Sequence, residues 1–217
     1  MTVFHHVDHG FILPDLKSET KRNGKRTYLT PSGDKYPSVT TVVNHEKNEF
    51  FREWNKDPKN RAINKKAVAR GTIFHQLAED YIKGKPSKTD NSTAKVLFNL
   101  IRHDINKINN VYVQEQSLYS DLLKLAGRVD LIAEYDGVLS VIDFKSAQHK
   151  RKEEWVQSYF LQATAYAIMW EELTGMVVPQ IVLLIACEDV VKQVFKLPTV
   201  DHVKELKKVI ETYSEKK

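Results

Sequence analysis

Three charged side chains lie within two apolar segments near the middle of the chain. Asp130 belongs to LAGRVDLIAEY, and Asp143 and Lys145 belong to VLSVIDFKSA. Asp143 and Lys145 are two residues apart, so both project from one face of a strand. Burying these charges is costly unless they pair or bind an ion. Carboxylates are the ligands that Mg²⁺ or Mn²⁺ prefers, although a structural Asp–Lys ion pair explains the pattern equally well.

The two segments are predicted to form a β-hairpin. Asp136-Gly137 lies between them, and this dipeptide strongly favours a tight reversal of the chain. The first segment alternates in polarity, whereas the second is almost wholly apolar, which is typical of a strand covered on both faces. The charged residues are therefore expected in the centre of a sheet.

Neighbouring elements carry polar residues that could complete a site. A helix is predicted over residues 60–83, a strand over 111–119 and a long helix over 153–173. Their polar candidates, in that order, are His75, Glu115, and the pair Gln162 and Tyr166. Each of these residues also has a purely structural interpretation. His75 could form an ion pair on the helix surface, Glu115 could be an exposed strand residue, and Gln162 and Tyr166 could be a polar spot on a core-packed helix.

Composition indicates an ordinary soluble domain. The 217 residues are 41% hydrophobic and 28% charged, which is enough for one substantial core. No apolar run is long enough to span a bilayer, and the N-terminus lacks a secretory signal pattern. Cys187 is the single cysteine, so no disulfide can form within the chain. We therefore expect a protein of a reducing cytoplasm.

The charge distribution is mildly basic. The net charge is +5, the pI is about 9.1, and Lys and Arg crowd residues 21–26, 56–70 and 145–152. Such stretches suit a polyanionic partner, because each neutralised phosphate releases counterions. A net charge of this size is also common in proteins that do not bind nucleic acid, so by itself it is weak evidence for a polyanionic partner.

We expect a single domain of three parts. Residues 1–58 form an N-terminal ribbon and small helices, 59–187 a core, and 188–217 a C-terminal strand and helix. Phe11–Leu13 and Arg26–Leu29 are predicted to pair as the ribbon, around the Asn23-Gly24 turn.

Two features of the N-terminal part bear on binding. Ser38 and Thr40 precede a helix predicted from about Val42, and their hydroxyls suit its cap. Free N–H groups at such a cap can hold a phosphate, although capping alone is the simpler interpretation. Phe50 and Phe51, followed by a tryptophan at helical spacing, are predicted to dock their helix on the body rather than to stack on bases.

Four motifs, taken in this order, resemble the PD-(D/E)XK nuclease superfamily and its RecB-type exonuclease branch. They are G-T-x-x-H at 71–75, G-R-V-D at 127–130, D-F-K at 143–145 and Q-x-x-x-Y at 162–166. Y-P-S-V-T at 36–40 also resembles an N-terminal motif of the mitochondrial genome maintenance exonuclease and of similar phage exonucleases. The resemblance covers residues 36 to 187. D-x-K alone is a weak pattern, but four ordered motifs on fitting elements are specific.

The resemblance implies an α/β fold: a restriction-endonuclease-like αβββαβ core with a mixed central sheet flanked by helices. It implies a Mg²⁺- or Mn²⁺-dependent exonuclease acting on single-stranded DNA or DNA ends, in replication, recombination or repair. The implied metal ligands are His75, Asp130, Asp143 and the Phe144 carbonyl. Lys145 would position the attacking water and offset phosphorane charge, and Glu115 would bind a second metal or orient water. The expected DNA contacts are Ser38, Thr40, Arg128, Gln162 and Tyr166.

Two departures from the family pattern are visible. Val129 stands where the most literal motif has proline, and a lone cysteine excludes the four-cysteine iron–sulfur cluster of some relatives. Two alternatives stay open: a ring-forming recombination exonuclease on duplex DNA, and a non-catalytic nucleic-acid-binding module. A nucleotide-driven enzyme is poorly supported, because Gly24-Lys25 and Gly84-Lys85 lack the spacing of a phosphate-binding loop.

Overall fold

The computed structural model describes residues 3–216. Its N-terminal part contains three short strands and two small helices: β1 (Ser18–Thr20), β2 (Arg26–Leu29), β3 (Lys35–Pro37), α1 (Val39–Val43) and α2 (His45–Trp54). The ribbon pairs β2 with β1 and not with Phe11–Leu13. That partner was therefore predicted wrongly, because the Asn23-Gly24 turn brings back the nearer segment.

The rest of the chain contains two helices, three strands, a helix, two strands and a final helix. Its elements are α3 (Pro58–Ile82), α4 (Ser92–Ile105), β4 (Ile108–Ser120), β5 (Leu125–Tyr135), β6 (Val138–Ala147), α5 (Glu153–Thr174), β7 (Gln180–Cys187), β8 (Lys192–Pro198) and α6 (Val203–Glu215). A short 3₁₀ helix, Thr199–His202, precedes α6. Gly175 ends α5 in the left-handed conformation, with φ of 75°, as helices commonly end.

Five strands form the central sheet, in the order β4-β5-β6-β7-β8. β6 and β7 are parallel, and the other neighbours are antiparallel. A parallel pair needs a crossover between its strands, and α5 supplies it. The predicted αβββαβ core with a mixed sheet is thereby confirmed. The division of the chain into three parts stays a prediction.

Each face of the sheet has its own hydrophobic core. Residues of α1, α5 and α6 pack on one face, around Phe160 and Trp170. Residues of α3 and α4 pack on the other, around Phe74 and Ile101. The sheet is thus buried between two helical layers, which explains the almost wholly apolar sequences of β6 and β7.

The alternation of β5 changes phase at Asp130. Leu125 and Val129 pack in the α5-side core, whereas Leu131 and Ala133, continuing the same odd-numbered series, pack in the α3–α4 core. A regular strand would keep all four on one face. The strand therefore turns about its axis at Asp130.

The lengths and polarities of the helices bear on membrane insertion. Among residues 3–216, each helix is too short or too polar to cross a bilayer. The cytoplasmic location expected from the sequence stays a prediction.

Candidate active site

The site lies where β5 and β6 separate. Their backbone pairing runs from Tyr135–Val138 to Leu131–Ile142, so Asp130 and Asp143 come directly after the last described pair. The Asp130 carboxylate occupies the gap, and its Oδ2 accepts a hydrogen bond from the Phe144 N–H at 3.1 Å. This bond fixes the carboxylate at the opening between the two strands.

Glu115 and His75 converge on Asp130 from two other elements. One ligand atom from each of the three residues lies within 4.8 Å of the others, and His75 Nδ1 is 3.3 Å from Asp130 Oδ2. Glu115 lies on β4 between the pairs Gln114–Leu131 and Gln116–Val129, and therefore opposite Asp130. Two strands and α3 thus deliver three donors to one point.

The backbone of Glu115 is strained. Its φ is +53°, a conformation uncommon for residues other than glycine and one that costs on the order of 1–3 kcal/mol. Such strain persists only where the surrounding structure enforces it. Here the hydrogen bond from Arg128 Nε to the Glu115 carbonyl, at 2.8 Å, holds this turn of the strand.

Asp143 and Lys145 form a second group beside the first. Lys145 Nζ lies 2.5 Å from Asp143 Oδ2, yet this buried oxygen has no hydrogen-bond partner of good geometry. The contact is therefore a close ion pair in which the ammonium lies against this oxygen. Gln162 Nε2 donates to the other oxygen, Oδ1, at 3.2 Å, and the Tyr159 ring lies 5.0 Å from the ammonium.

Negative charge is crowded in the first group. Burial, with Asp130 and Glu79 nearby, raises the pKa of Glu115 to about 7. Burial also acts to raise the pKa of Asp130, but His75 and Lys145 outweigh it and hold that pKa below its usual range. Burial alone would lower the pKa of His75, and the Asp130 carboxylate reverses the shift. A cation at this point would relieve the repulsion between the carboxylates.

In the second group, burial raises the pKa of Asp143 to about 6 even though Lys145 acts to lower it. The pKa of Lys145 is raised: burial opposes this, and the Asp143 and Asp130 carboxylates outweigh it. The raised pKa of Lys145 shows that the two carboxylates favour its charged, ammonium form.

The donor set fits a divalent metal ion. Two carboxylates and an imidazole within reach of one another suit Mg²⁺ less well than Mn²⁺, which accepts nitrogen more readily. Asp143 lies next to this group, since its charge acts on both His75 and Asp130, and its Oδ2 faces Lys145. His75, Glu115 and Asp130 are therefore the residues that could hold the ion, with Asp143 at its edge.

The comparison with protein families agrees with this geometry. The family model of the PD-(D/E)XK nuclease superfamily matches residues 93–216, more than half of the chain. The chain belongs to the PD-(D/E)XK nuclease superfamily. The matched range contains Glu115, Asp130, Asp143 and Lys145, whereas His75 lies before it.

Two single proteins are also similar. The human mitochondrial genome maintenance exonuclease 1 is 26% identical over 103 residues, which are 45% of this chain and 29% of the human protein. The match thus spans less than a third of that relative. A crystal structure of a candidate exonuclease from Eubacterium rectale aligns with a TM-score of 0.49 and 13% identity, over 69% of this chain and 65% of the other.

In this member of the superfamily, Tyr166 packs directly on Gly127. A Cβ added at Gly127 would lie 2.7 Å from the Tyr166 hydroxyl oxygen and 2.8 Å from its Cε1. Tyr166 and Gln162 are only 3% and 6% exposed, so these side chains have little surface to offer to DNA. Both side chains stabilise the site from the buried side: Tyr166 packs α5 against β5, and Gln162 donates a hydrogen bond to Asp143.

The other predicted DNA contacts have differing surroundings. Ser38 is 2% exposed, and its hydroxyl caps α1 by accepting from the Thr41 N–H at 3.1 Å; capping, the simpler interpretation, accounts for it. Thr40 is exposed and its hydroxyl is 3.1 Å from that of Ser38. Arg128 keeps an exposed side chain beside Glu115, 3.8 Å from Oε2, and is the one most available to a phosphate at the site.

Sequence reasoning missed Tyr159. It lies on α5 three residues before Gln162, and therefore on the same side of the helix, next to the Lys145 ammonium. The signal was present in the sequence, since the Q-x-x-x-Y motif already marked that face of α5 as the one toward the site.

Proposed function

We propose that this protein is a divalent-metal-dependent DNA exonuclease that hydrolyses phosphodiester bonds in single strands or at DNA ends. The observation that carries the proposal is the convergence of His75, Glu115 and Asp130 beside the Asp143–Lys145 pair. Structural ion pairs alone would not need a third carboxylate, on a strained backbone, at the same point. We place the activity in DNA replication, recombination or repair.

The proposed metal is Mg²⁺ or Mn²⁺, held by His75, Glu115 and Asp130 with Asp143 and the Phe144 carbonyl alongside. A divalent ion bound there would lower the pKa of water and polarise the phosphate. Imidazole among the ligands favours Mn²⁺ over Mg²⁺.

The side chains of the chain itself do the rest of the work. Lys145 holds the attacking water and stabilises the charge that develops on the phosphoryl oxygens. Its ammonium is positioned by Asp143, which Gln162 fixes in turn. Hydrolysis forms a bond from the water oxygen to phosphorus and breaks the bond from phosphorus to the leaving sugar oxygen, which leaves with a proton.

An exonuclease is favoured over other nucleases by the relative whose name carries that activity. A ring-forming exonuclease on duplex DNA and a non-catalytic binding module are the alternatives that the test must separate. The intact set of Asp130, Asp143 and Lys145 supports catalysis over the binding module.

The test uses end-labelled linear single strands and duplexes, together with circular DNA, in the presence of Mg²⁺ or Mn²⁺. Asp143→Asn and Lys145→Ala should abolish turnover while DNA binding is kept. Asp136→Asn is the matched control, because this exposed turn residue has φ of +50°, which asparagine tolerates. Within residues 3–216 its ion pair is with Lys196, away from the site.

Mononucleotides or short oligomers released from linear DNA alone support the exonuclease. Cleavage of circles would make the enzyme an endonuclease. Binding without turnover by the wild type under both metals would favour the non-catalytic module and refute the proposal.

A further inference from the structure

A helical segment next to the site makes little contact with either core. No residue between 45 and 73 is buried, although α2 and the first four turns of α3 occupy this range. We call this segment the helical arm. Phe50 and Phe51 on α2 are 64% and 47% exposed, so the prediction that these rings dock their helix on the body is wrong. The hydrophobic spacing correctly indicated a helix, but the other elements within residues 3–216 leave both rings largely exposed.

The arm is strongly basic on α3. Between residues 58 and 78 the chain contains five basic residues and no acidic one; they are Lys59, Arg61, Lys65, Lys66 and Arg70. The first turn of α3 also lacks an acidic residue. Cations near a helix N-terminus oppose the helix dipole, and the pairs 61/65 and 66/70 place like charges four residues apart. The Asp57 carboxylate caps the helix by accepting from the Lys59 N–H at 2.7 Å, and a bound anion would relieve the repulsion between the like charges further along α3.

Most of this charge is unpaired within the protein. Arg70 forms an ion pair with Glu188. Lys59, Lys65 and Lys66 have no ion-pair partner within residues 3–216. These ammonium groups are therefore free to bind phosphates.

The basic helix leads directly into the site. Lys65 precedes His75 by ten residues on α3, which is about 15 Å along the axis, and it lies about 80° around the axis from His75. Lys66 lies about 180° away, on the opposite side. A phosphate bound at Lys65 would thus be a few nucleotides from the bond at the metal site, whereas Lys66 faces elsewhere.

Two aromatic rings at the start of α5 lie near the site. Tyr159 contacts Lys145, and Trp155, one turn earlier on α5, is 50% exposed. The arm begins at this point, because Lys47 on α2 donates to the Trp155 carbonyl at 3.3 Å and to the Ser158 hydroxyl at 3.1 Å. Phe50 follows Lys47 by three residues on α2 and so lies near the same face.

Aromatic rings interleaved with cations are what proteins use to bind unpaired strands, because every base has a face that can stack. We propose that the helical arm and the start of α5 hold a single DNA strand as it enters the site. Trp155 and Phe50 stack on its bases, and Lys65 binds one of its phosphates. This inference rests on the proposed nuclease function and narrows its substrate to DNA with an unpaired strand.

The test measures binding of a fluorescent single-stranded oligonucleotide by anisotropy in EDTA, where hydrolysis does not interfere. Trp155→Ala and Phe50→Ala should each weaken binding roughly 5- to 100-fold, the range for losing one stacked base. Lys65→Gln should weaken it about 3- to 10-fold and reduce the slope of log K against log salt by about 0.7. Lys66→Gln, the same change on the opposite side, should leave that slope within about 0.2 of the wild type.

Two further substrates separate stacking from a structural role. An oligonucleotide with abasic sites should bind the wild type and Trp155→Ala equally, because no base is present to stack. Trp155→Tyr keeps a ring and should restore most of the affinity for normal DNA. Duplex DNA of the same length should bind more weakly than the single strand.

Equal slopes for Lys65→Gln and Lys66→Gln, with unchanged affinity in Trp155→Ala and Phe50→Ala, would overturn the inference. Hydrolysis by the wild type is measured separately with metal. Normal hydrolysis without these binding effects refutes the strand path alone. Binding effects without any hydrolysis refute the nuclease function and leave the strand path standing as a binding surface.

Discussion

Gly127 and Gly71 belong to two of the site motifs. Replacing each with alanine should change the stability of the protein in opposite directions. A Cβ at Gly127 would lie 2.7 Å from the Tyr166 hydroxyl and 2.8 Å from Cε1. Because Tyr166 is 3% exposed, its ring is enclosed by the protein and cannot swing out into solvent. The two groups would have to separate by about 0.7 Å to reach an ordinary contact, and such overpacking costs about 1–3 kcal/mol.

Part of that loss is offset, since alanine loses less backbone entropy than glycine on folding, by about 0.5–1 kcal/mol. The net loss for Gly127→Ala is then about 1 kcal/mol at the middle of the range and at most about 2.5 kcal/mol. At Gly71 the added Cβ meets only the Ser146 hydroxyl, at 3.6 Å, an ordinary contact. Gly71 lies inside α3, where alanine is favoured over glycine, so Gly71→Ala should stabilise by about 0.5–1 kcal/mol.

Thermal unfolding followed by circular dichroism measures both changes. For a chain of this length, 1 kcal/mol shifts Tm by about 2–4 °C. Gly127→Ala should therefore lower Tm by about 2–4 °C at the middle of its range and by at most about 10 °C, and Gly71→Ala should raise Tm by about 1–4 °C. Adding Tyr166→Phe to Gly127→Ala should recover only part of the loss, because the contact with Cε1 is kept. A stable Gly127→Ala protein, or a destabilised Gly71→Ala protein, would refute the packing described for these motifs.

Two predictions concern stability away from the site, one at a buried ion pair and one at a hydrogen-bonded turn. Asp104 is buried and binds Lys192 at 2.6 Å and Lys107 at 3.2 Å; burial alone would raise its pKa, but the lysines lower it. Because its folded pKa is the lower one, its contribution is complete above the ordinary pKa of about 4 and is lost as pH falls through the folded value. In urea unfolding, the free energy of unfolding of Asp104→Asn should be about 1–3 kcal/mol below that of the wild type at pH 7. This difference should shrink below a pH of about 4, and a difference that does not change with pH would contradict the prediction. The Glu172 carboxylate accepts hydrogen bonds from the N–H groups of Asp121 and Leu122 at 2.8 and 3.2 Å. Glu172→Ala should therefore lower the free energy of unfolding by about 0.5–1.5 kcal/mol and speed hydrogen exchange at both amides, whereas Glu172→Gln should not. Unchanged exchange in the alanine variant would show that these hydrogen bonds do not stabilise the turn.

Local spacing predicted part of the site from the sequence. Asp143 and Lys145 share a face because they are two residues apart on a strand, and the structure pairs them. The order of helices and strands followed from hydrophobic periodicity and from the glycine at the end of α5. These features depend on neighbours in the chain, so a sequence pattern determines them.

Features that depend on distant contacts were not predictable in this way. Regular alternation does not foresee the positive φ of Glu115 or the change of phase at Asp130. Gln162 and Tyr166 were expected to meet DNA, yet both are buried, because a helix pattern does not show how closely α5 approaches β5 and β6. Exposure of the rings on α2 likewise depends on whether another element covers them.

The central claim is that His75, Glu115 and Asp130 hold one divalent ion. Isothermal titration of the protein with Mn²⁺ tests it most directly, with no assumption about substrate. We expect one site in the wild type, affinity reduced at least about tenfold in Asp130→Asn, and wild-type affinity in Asp136→Asn. Equal Mn²⁺ binding by the wild type and Asp130→Asn would contradict the assignment.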